Sequence, residues 1–394
     1  MIRVGIDVGG TNTDAVLIEG ESVRCAVKTA TTTEVSAGII AALGRLLQES
    51  GVDKGRIEAV MIGTTHFTNA VVQRRGVSPI GAIRIGLPAA ATLEPFVDWP
   101  ADLRDMVRGP TFMIHGGHEV DGTVLAPFDR AAMKDAAARI RDSGVEAAGI
   151  TSVFSPLNSA VEREAADILR QVAPNVAVTL SHELGRIGLL ARENVTLLNA
   201  SLVALARRTT EGFVTALRQA GIAAPLYITQ NDGTVSLAEQ AARFPVHCFA
   251  SGPTNSLRGA AFLSGVKDAM VVDVGGTTSD VGCLRQGFPR EANNTVDVGG
   301  VRTAFRMPDL LSIGLGGGTL VDPADPAKIG PVSVGYRLKE RALVFGGSET
   351  TMTDVAVAAG LIDLGDRKAV AGLGKGFVEA VLRRSHAMLE EAID

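Results

Sequence analysis

Apolar residues in this chain fall into short Val/Ile/Leu runs, separated by Gly-rich polar turns and by stretches with helical spacing. Strands alternating with helices in this way predict an α/β protein. The opening reads strand, turn, strand: "IRVGID", "VGGTNTD", "AVLIEG". Far downstream "AMVVDV", "GGTTSD", "VGCLRQG" repeats the arrangement. Each unit is expected to be a hairpin, not the strand–loop–helix of a P-loop or dinucleotide fingerprint. Between them the pattern predicts a helix over 33–50 capped by Thr33, strand–turn–helix over 57–76, and a strand at 77–86. A Pro-punctuated loop holds a short helix, and helices over 129–144 and 159–174 are each followed by a strand. A long, mostly helical stretch over 186–220 is a candidate link between two halves. A cluster of glycines at 313–319 and two helical stretches close the chain. No low-complexity segment occurs, and the hairpin with its flanks is the only repeat.

The chain's 394 residues suggest two to three domains at about 100–200 residues each. With 46% hydrophobic and 21% charged residues it has the balance of a globular protein with ample core. A net charge of −5 argues against a general nucleic-acid binder. Cys25, Cys248 and Cys283 form no Cys-x-x-Cys pair, which fits a reducing compartment without zinc knuckles. No signal-peptide core precedes the first strand, and no run reaches the ~20 apolar residues of a membrane span. The expected location is cytoplasmic, with no nucleic-acid or membrane partner.

The repeat carries the chemistry. Asp7 to Asp14 and Asp273 to Asp280 share Asp-Val-Gly-Gly-Thr, two residues, then Asp. Gly9-Gly10 and Gly275-Gly276 allow a sharp turn and leave no Cβ in a ligand's way. Successive N–H groups in such a turn form an anion nest. Hydroxyls of Thr11, Thr13, Thr277 and Thr278, with Asn12, add donors suited to phosphate oxygens. Asp7 and Asp273 end their strands, where a carboxylate holds Mg²⁺ directly or through its water. Two such loops facing each other would clamp a triphosphate, one loop from each half. A third fragment at 296–302 lacks the Thr and the final Asp and reads as a plain turn.

These paired loops resemble the phosphate-1 and phosphate-2 loops of the actin, sugar kinase and Hsp70 ATPase superfamily. Within it, "GIDVGGTNTDAV", "IGTTHFTNAVVQRR", "GGHEVDG", "SHELGRIGLLARENVTLLNA" and "DVGGTTSDVG" resemble the hydantoinase A / 5-oxoprolinase family, over essentially the whole chain and closest to its shorter members. The resemblance implies two actin/ribonuclease-H-like α/β halves around an interdomain nucleotide cleft, 1–183 with the first loop and 184–394 with the second. It implies ATP and Mg²⁺, phosphorylation of the amide oxygen of a cyclic amide such as a hydantoin or 5-oxoproline, and hydrolysis of the activated ring, with a second hydantoinase-type subunit. A homo-oligomer stays open. Asp7, Thr11, Asn12, Thr13 and Asp14 map to the first loop, and Asp273, Thr277, Thr278 and Asp280 to the second. Either Asp7 or Asp273 is then the catalytic, metal- or water-holding carboxylate. One departure stands out: the superfamily's terminal Gly-rich adenosine motif is expected after a helix like the last one, where this chain stops. The chain is then either truncated or lacks that segment. Gly316, Gly317 and Gly318 line the nucleotide site only if they substitute from an earlier position.

Other residues divide between chemistry and structure. Thr64, Thr65 and Asn69 can reach phosphate or substrate, or cap a helix. His115, His118 and Glu119 could meet a metal or substrate, but a hydrogen-bonded loop explains them better. His182, Glu183 and Arg186 fit a cleft wall or helix capping. Arg192 and Glu193 read as a surface or helix pair. Cys248 reads as a buried apolar side chain. A sugar-kinase-like or carboxylase-type ATPase is the competing enzyme, and a regulatory ATP-binding activator module the competing non-enzyme reading.

Overall fold

The computed structural model describes residues 1–9, 12–30, 35–292 and 295–393. Gly10, Thr11 and the expected cap Thr33 lie outside the described residues. Two compact units interleave along the chain: unit 1 is Met1–Arg56, Gly252–Arg290 and Pro308–Asp394, and unit 2 is Ile57–Ser251 and Glu291–Met307.

Unit 1 opens with β1 (Ile2–Val8), β2 (Asn12–Glu19) and β3 (Ser22–Ala30), an antiparallel meander, followed by α1 (Val35–Ser50). Ile2, Val4, Ile6 and Val8 of β1 are buried. The period of two therefore puts Asp7 on the other face.

Unit 2 begins with β4 (Ile57–Thr64) and α2 (His66–Val72), as the pattern at 57–76 predicted. Next come β5 (Ile80–Leu87), α3 (Ala101–Val107), β6 (Arg108–His115), α4 (Arg130–Ser143), β7 (Ala147–Ser152), α5 (Ala160–Val172) and β8 (Ala177–Leu180). The four strands form a parallel sheet in the order β6-β5-β7-β8. The central strands β5 and β7 are buried almost throughout because both faces are covered, while the edge strand β6 is only partly buried. Helix α6 (Leu189–Gln219) follows. A Cβ on Gly81 would lie 2.8 Å from Ile140 of α4, while one on Gly149 would lie 3.0 Å from Leu197 of α6. Gly149 pairs with Ala82, the neighbour of Gly81, so α4 and α6 cover opposite faces. Alternation of Gly at these positions lets both helices approach closely. The chain continues with β9 (Leu226–Thr229), parallel to β4, then β10 (Val235–Leu237) and α7 (Ala238–Arg243).

Helix α8 (Ser251–Ser264) leads back into unit 1 and to β11 (Ala269–Val274), β12 (Ser279–Arg285) and β13 (Phe288–Pro289). A short hairpin of β14 (Val296–Val298) and β15 (Val301–Thr303) belongs to unit 2. It is the plain turn expected of the third fragment. Unit 1 then closes with β16 (Leu310–Ile313) on β12, the hairpin β17 (Thr319–Asp322) and β18 (Asp325–Ser333), α9 (Leu338–Arg341), α10 (Met352–Ala358) and α11 (Lys375–Ile393). Leu315, Val321, Ile329, Val355, Val378 and Val381 form an apolar core there.

Two expectations change. The division at 183/184 falls inside unit 2, because α6 packs on the strands that precede it, and both repeated hairpins fall in unit 1. Arg192 and Glu193 are not a surface pair: they are 0% and 2% exposed. Arg84 of β5 meets Glu193 with a bidentate grip, Nε to Oε1 at 2.8 Å and Nη2 to Oε2. Among the described residues α6 is the one helix long and apolar enough to cross a membrane, but it is mostly buried, as a core helix would be.

Removing one partner of a buried ion pair strands the other without compensation. Glu193→Gln should therefore lower the stability of unit 2 by about 3–5 kcal/mol in urea denaturation, and the double change Arg84→Met/Glu193→Leu should cost markedly less.

Candidate functional site

The two repeats fold alike. Asp7 stands directly across from Asp14 and Asp273 directly across from Asp280. Each turn is closed by the same bond: Gly9 N–H donates to the Asn12 carbonyl at 3.0 Å, and Gly275 N–H to the Thr278 carbonyl at 2.8 Å. The sequence expectation of hairpins is met. In the second turn Gly276 and Thr277 are exposed and Thr278 half-buried. Their N–H groups have no acceptor among the described residues, so they can form an anion nest. Thr13 is fully buried, and its carbonyl accepts from the Thr29 hydroxyl at 3.2 Å.

Gly316, Gly317 and Gly318 do meet the second loop, but as its brace. Gly317 N–H donates to the Gly275 carbonyl at 3.1 Å and Gly318 N–H to that of Gly276 at 2.7 Å, while Gly316 N–H donates to Thr319 Oγ1 at 2.8 Å. These amides are engaged within the protein. A Cβ on Gly316 would lie 2.7 Å from both the Gly275 oxygen and the Thr277 nitrogen. Glycine is therefore required for the two backbones to layer.

The carboxylates are close enough to feel each other. Burial pushes the Asp7 carboxyl up from its ordinary 3.8 to about 6, reinforced by Asp14 and Asp273 and partly offset by a hydrogen bond from Asn255 and by Lys28. Asp280 is also raised, mainly by burial. Lys28 pairs with Asp14 at 3.2 Å, and the Ser256 hydroxyl donates to Asp273 at 2.5 Å. Thus the first turns of α8 hold one carboxylate of each hairpin, through Asn255 and Ser256. Sequence reading missed both; their signal was the Gly-Pro-Thr-Asn-Ser run at 252–256 opening a helix. Among the described residues no three His, Cys, Asp or Glu side chains converge as a metal cage. An oxygen-only pair with excess negative charge nevertheless suits a cation such as Mg²⁺, which keeps most of its waters.

The remaining candidates belong to unit 2. Thr64 is buried; its Oγ1 accepts from His66 N–H at 3.1 Å, and its backbone is clasped by the Ser251 hydroxyl. Asn69 donates to Thr65 Oγ1 at 3.2 Å. His118 is buried with Nε2 against Asn158 at 3.2 Å, and His115 and Glu119 are exposed on the same hydrogen-bonded loop. Cys248 is fully buried and its thiol is pushed up to about 12, which removes it from nucleophilic chemistry.

A family model for the N-terminal region of hydantoinase/oxoprolinase proteins matches residues 3–173, and the hydantoinase/oxoprolinase model matches residues 192–392. The chain belongs to the hydantoinase/oxoprolinase family. It is 26% identical over 389 residues to caprolactamase subunit alpha of Pseudomonas jessenii, covering 91% of this chain and 54% of that protein. It is 28% identical over 404 residues to the acetophenone carboxylase gamma subunit of Aromatoleum aromaticum, covering 91% and 53%. The solved ATP-dependent caprolactamase from Pseudomonas jessenii shares its fold, with a TM-score of 0.78 at 23% identity over 97% of this chain and 61% of that one. The chain spans 53–61% of the length of the curated relatives it matches.

Two measurements follow from this family site. Between pH 3.8 and about 6 the unfolded chain ionises Asp7 first, so stability falls as pH rises through that window and stays lower above it. Asp7→Asn should therefore stabilise the protein by up to about 3 kcal/mol at pH 7.5, with the gain vanishing below pH 4; a thermal-melt series across pH reads it. Gly316→Ala should displace the second loop and cost about 1–3 kcal/mol of stability, read in the same melts.

Proposed function

We propose that this hydantoinase/oxoprolinase-family chain uses ATP to activate the carbonyl oxygen of a small organic substrate. The observation that carries the reading is the pair of matched hairpins in unit 1, with Asp7 and Asp273 together and the second loop's amides open to an anion. The N–H groups of Gly276, Thr277 and Thr278 take phosphate oxygens, and the first hairpin brings Asp7 close to Asp273. Asn255 and Ser256 hold the two carboxylates in place. Asp7 and Asp273 would hold Mg²⁺ directly or through water, which when bound neutralises charge on the phosphates. Phosphoryl transfer asks for positioning and charge neutralisation more than for a protein nucleophile.

The substrate is a small amide or ketone. A lactam carbonyl is a poor electrophile. Moving the γ-phosphoryl to its oxygen, with loss of the ring N–H proton, gives an imidoyl phosphate. One water adds to its carbon, the C–N bond breaks to open the ring as an acyl phosphate, and a second water releases phosphate and leaves the carboxylate. The likeness to caprolactamase supports ring opening of a cyclic amide such as a hydantoin or 5-oxoproline. The likeness to a carboxylase subunit supports a second outcome, in which the same oxygen activation serves carboxylation of a ketone. Both relatives are named subunits, so a separate subunit is proposed to complete the reaction in a cytoplasmic assembly.

Calorimetry with Mg-ATP should show one site, lost in Asp7→Ala and Asp273→Ala. ADP release should then rise at least tenfold with one of hydantoin, 5-oxoproline, caprolactam, or acetophenone plus bicarbonate. Unchanged ATP binding in both variants would overturn the hairpin site.

A further inference from the structure

Unit 2 holds a cleft of 430 Å³ at the carboxyl end of β8, lined by His182, Arg186, Asp232, His247, Phe305 and Arg306 among others. Such a volume suits a small molecule. Behind its wall lies a carboxylate with no exposure at all. Glu162, near the start of α5, accepts from Ser152 N–H at 2.7 Å, Ser181 Oγ at 2.5 Å, His182 N–H at 3.1 Å and His182 Nδ1 at 2.6 Å. Burial by itself would raise this carboxyl, but the donors outweigh it and hold the group ionised. An ionised Glu162 fixes the His182 tautomer: Nδ1 donates inward, and Nε2 is the edge left for the cleft. Nε2 has no protein partner among the described residues, and it is not sealed from solvent.

Commitments of the other wall groups set the sign of the ligand. The acids are engaged: Glu183 is held by Arg243 at 2.7 and 2.8 Å, and Asp232 by Thr234 N–H at 2.9 Å and its hydroxyl at 2.6 Å. The amide of Asn231 bonds Val246, Arg306 and Ala250 backbone groups. The cations are free by comparison. The Arg186 guanidinium has no partner among the described residues, and that of Arg306 has only Glu291 at 3.9 Å. The cleft lining thus offers unengaged guanidinium donors, an imidazole oriented by Glu162, and the ring of Phe305.

We infer that this cleft binds a small organic molecule bearing a carboxylate, which Arg186 and Arg306 take while His182 Nε2 hydrogen-bonds its other polar end. Charge-assisted bonds to guanidinium give the selectivity. The inference does not need ATP chemistry to hold. It deepens the proposed function by placing the substrate, and its test is run without nucleotide so that the two fail separately.

Calorimetry on the full chain compares matched probes: 5-oxoproline against 2-pyrrolidinone, and benzoate against acetophenone, with inorganic phosphate as the plain oxyanion. At least one carboxylate should bind about tenfold or more tighter than its neutral match, and phosphate should bind less tightly than that carboxylate. Arg186→Ala and Arg306→Ala, both on exposed side chains, should each remove most of the difference without lowering the melting temperature. Ring nitrogen signals of His182 should shift on adding the carboxylate that binds. Equal binding within both pairs, tighter binding of phosphate, unaltered affinity in both arginine variants, or unmoved His182 signals would each overturn the assignment.

Discussion

Everything in unit 2 hangs on burying charge at the start of α6 without leaving any of it unpaired. Arg192 donates to Ser181 Oγ at 2.9 Å and to the carbonyls of Ser152, Arg186 and Ile187 at 2.6, 2.8 and 2.6 Å. Ser181 in turn donates to Glu162, so one hydroxyl relays between a buried cation and a buried anion. One residue on, Glu193 answers Arg84; the next, Asn194, joins Trp99 Nε1 at 2.8 Å to the Arg302 carbonyl at 2.8 Å. Three successive polar side chains on one helix thereby fasten β5, β7, the turn after β8 and β15. Each is satisfied, and that is the condition under which such groups persist in an interior. Gly185 belongs to the same device, since a Cβ there would lie 2.5 Å from Arg192 Cγ.

Unit 1 accepts the opposite arrangement. Its paired hairpins gather carboxylates that repel one another, and Asp7 is left with an ionisation that works against folding at neutral pH. The surrounding core of Leu315, Val321, Ile329 and Val381 and the layered glycines hold the loops in place despite this. Carboxylates perturbed in this way cluster at functional sites.

How much of this could be read from the amino acids depends on range. The hairpins were legible because Gly-Gly flanked by alternating Val and Ile is a local signal. So were β4 with α2, and the inert character of Cys248. The triglycine was legible as a neighbour of the loops but not as their brace, since backbone layering leaves no pattern in composition. Asn255 and Ser256 were missed although the Gly-Pro-Thr-Asn-Ser run marks a helix start, because nothing in that run names Asp7 on β1 or Asp273 on β11 as their partners. Arg192 and Glu193 were misplaced although a signal existed. From Leu189 to Ala206 the helix has almost no polar face, so charges within it must be interior and matched by charges elsewhere.

Interleaving of the two units constrains how the protein emerges from the ribosome. The N-terminal meander is made first, yet its companions in unit 1 begin at Gly252 and resume at Pro308. By then the parallel sheet and α6 have been delivered and can settle on their own contacts. The opening meander packs on α1 as soon as that helix is made, but the second hairpin is made only after Gly252, so the two loops can meet only late, and severing the chain near residue 184 would part α6 from the strands that neutralise it.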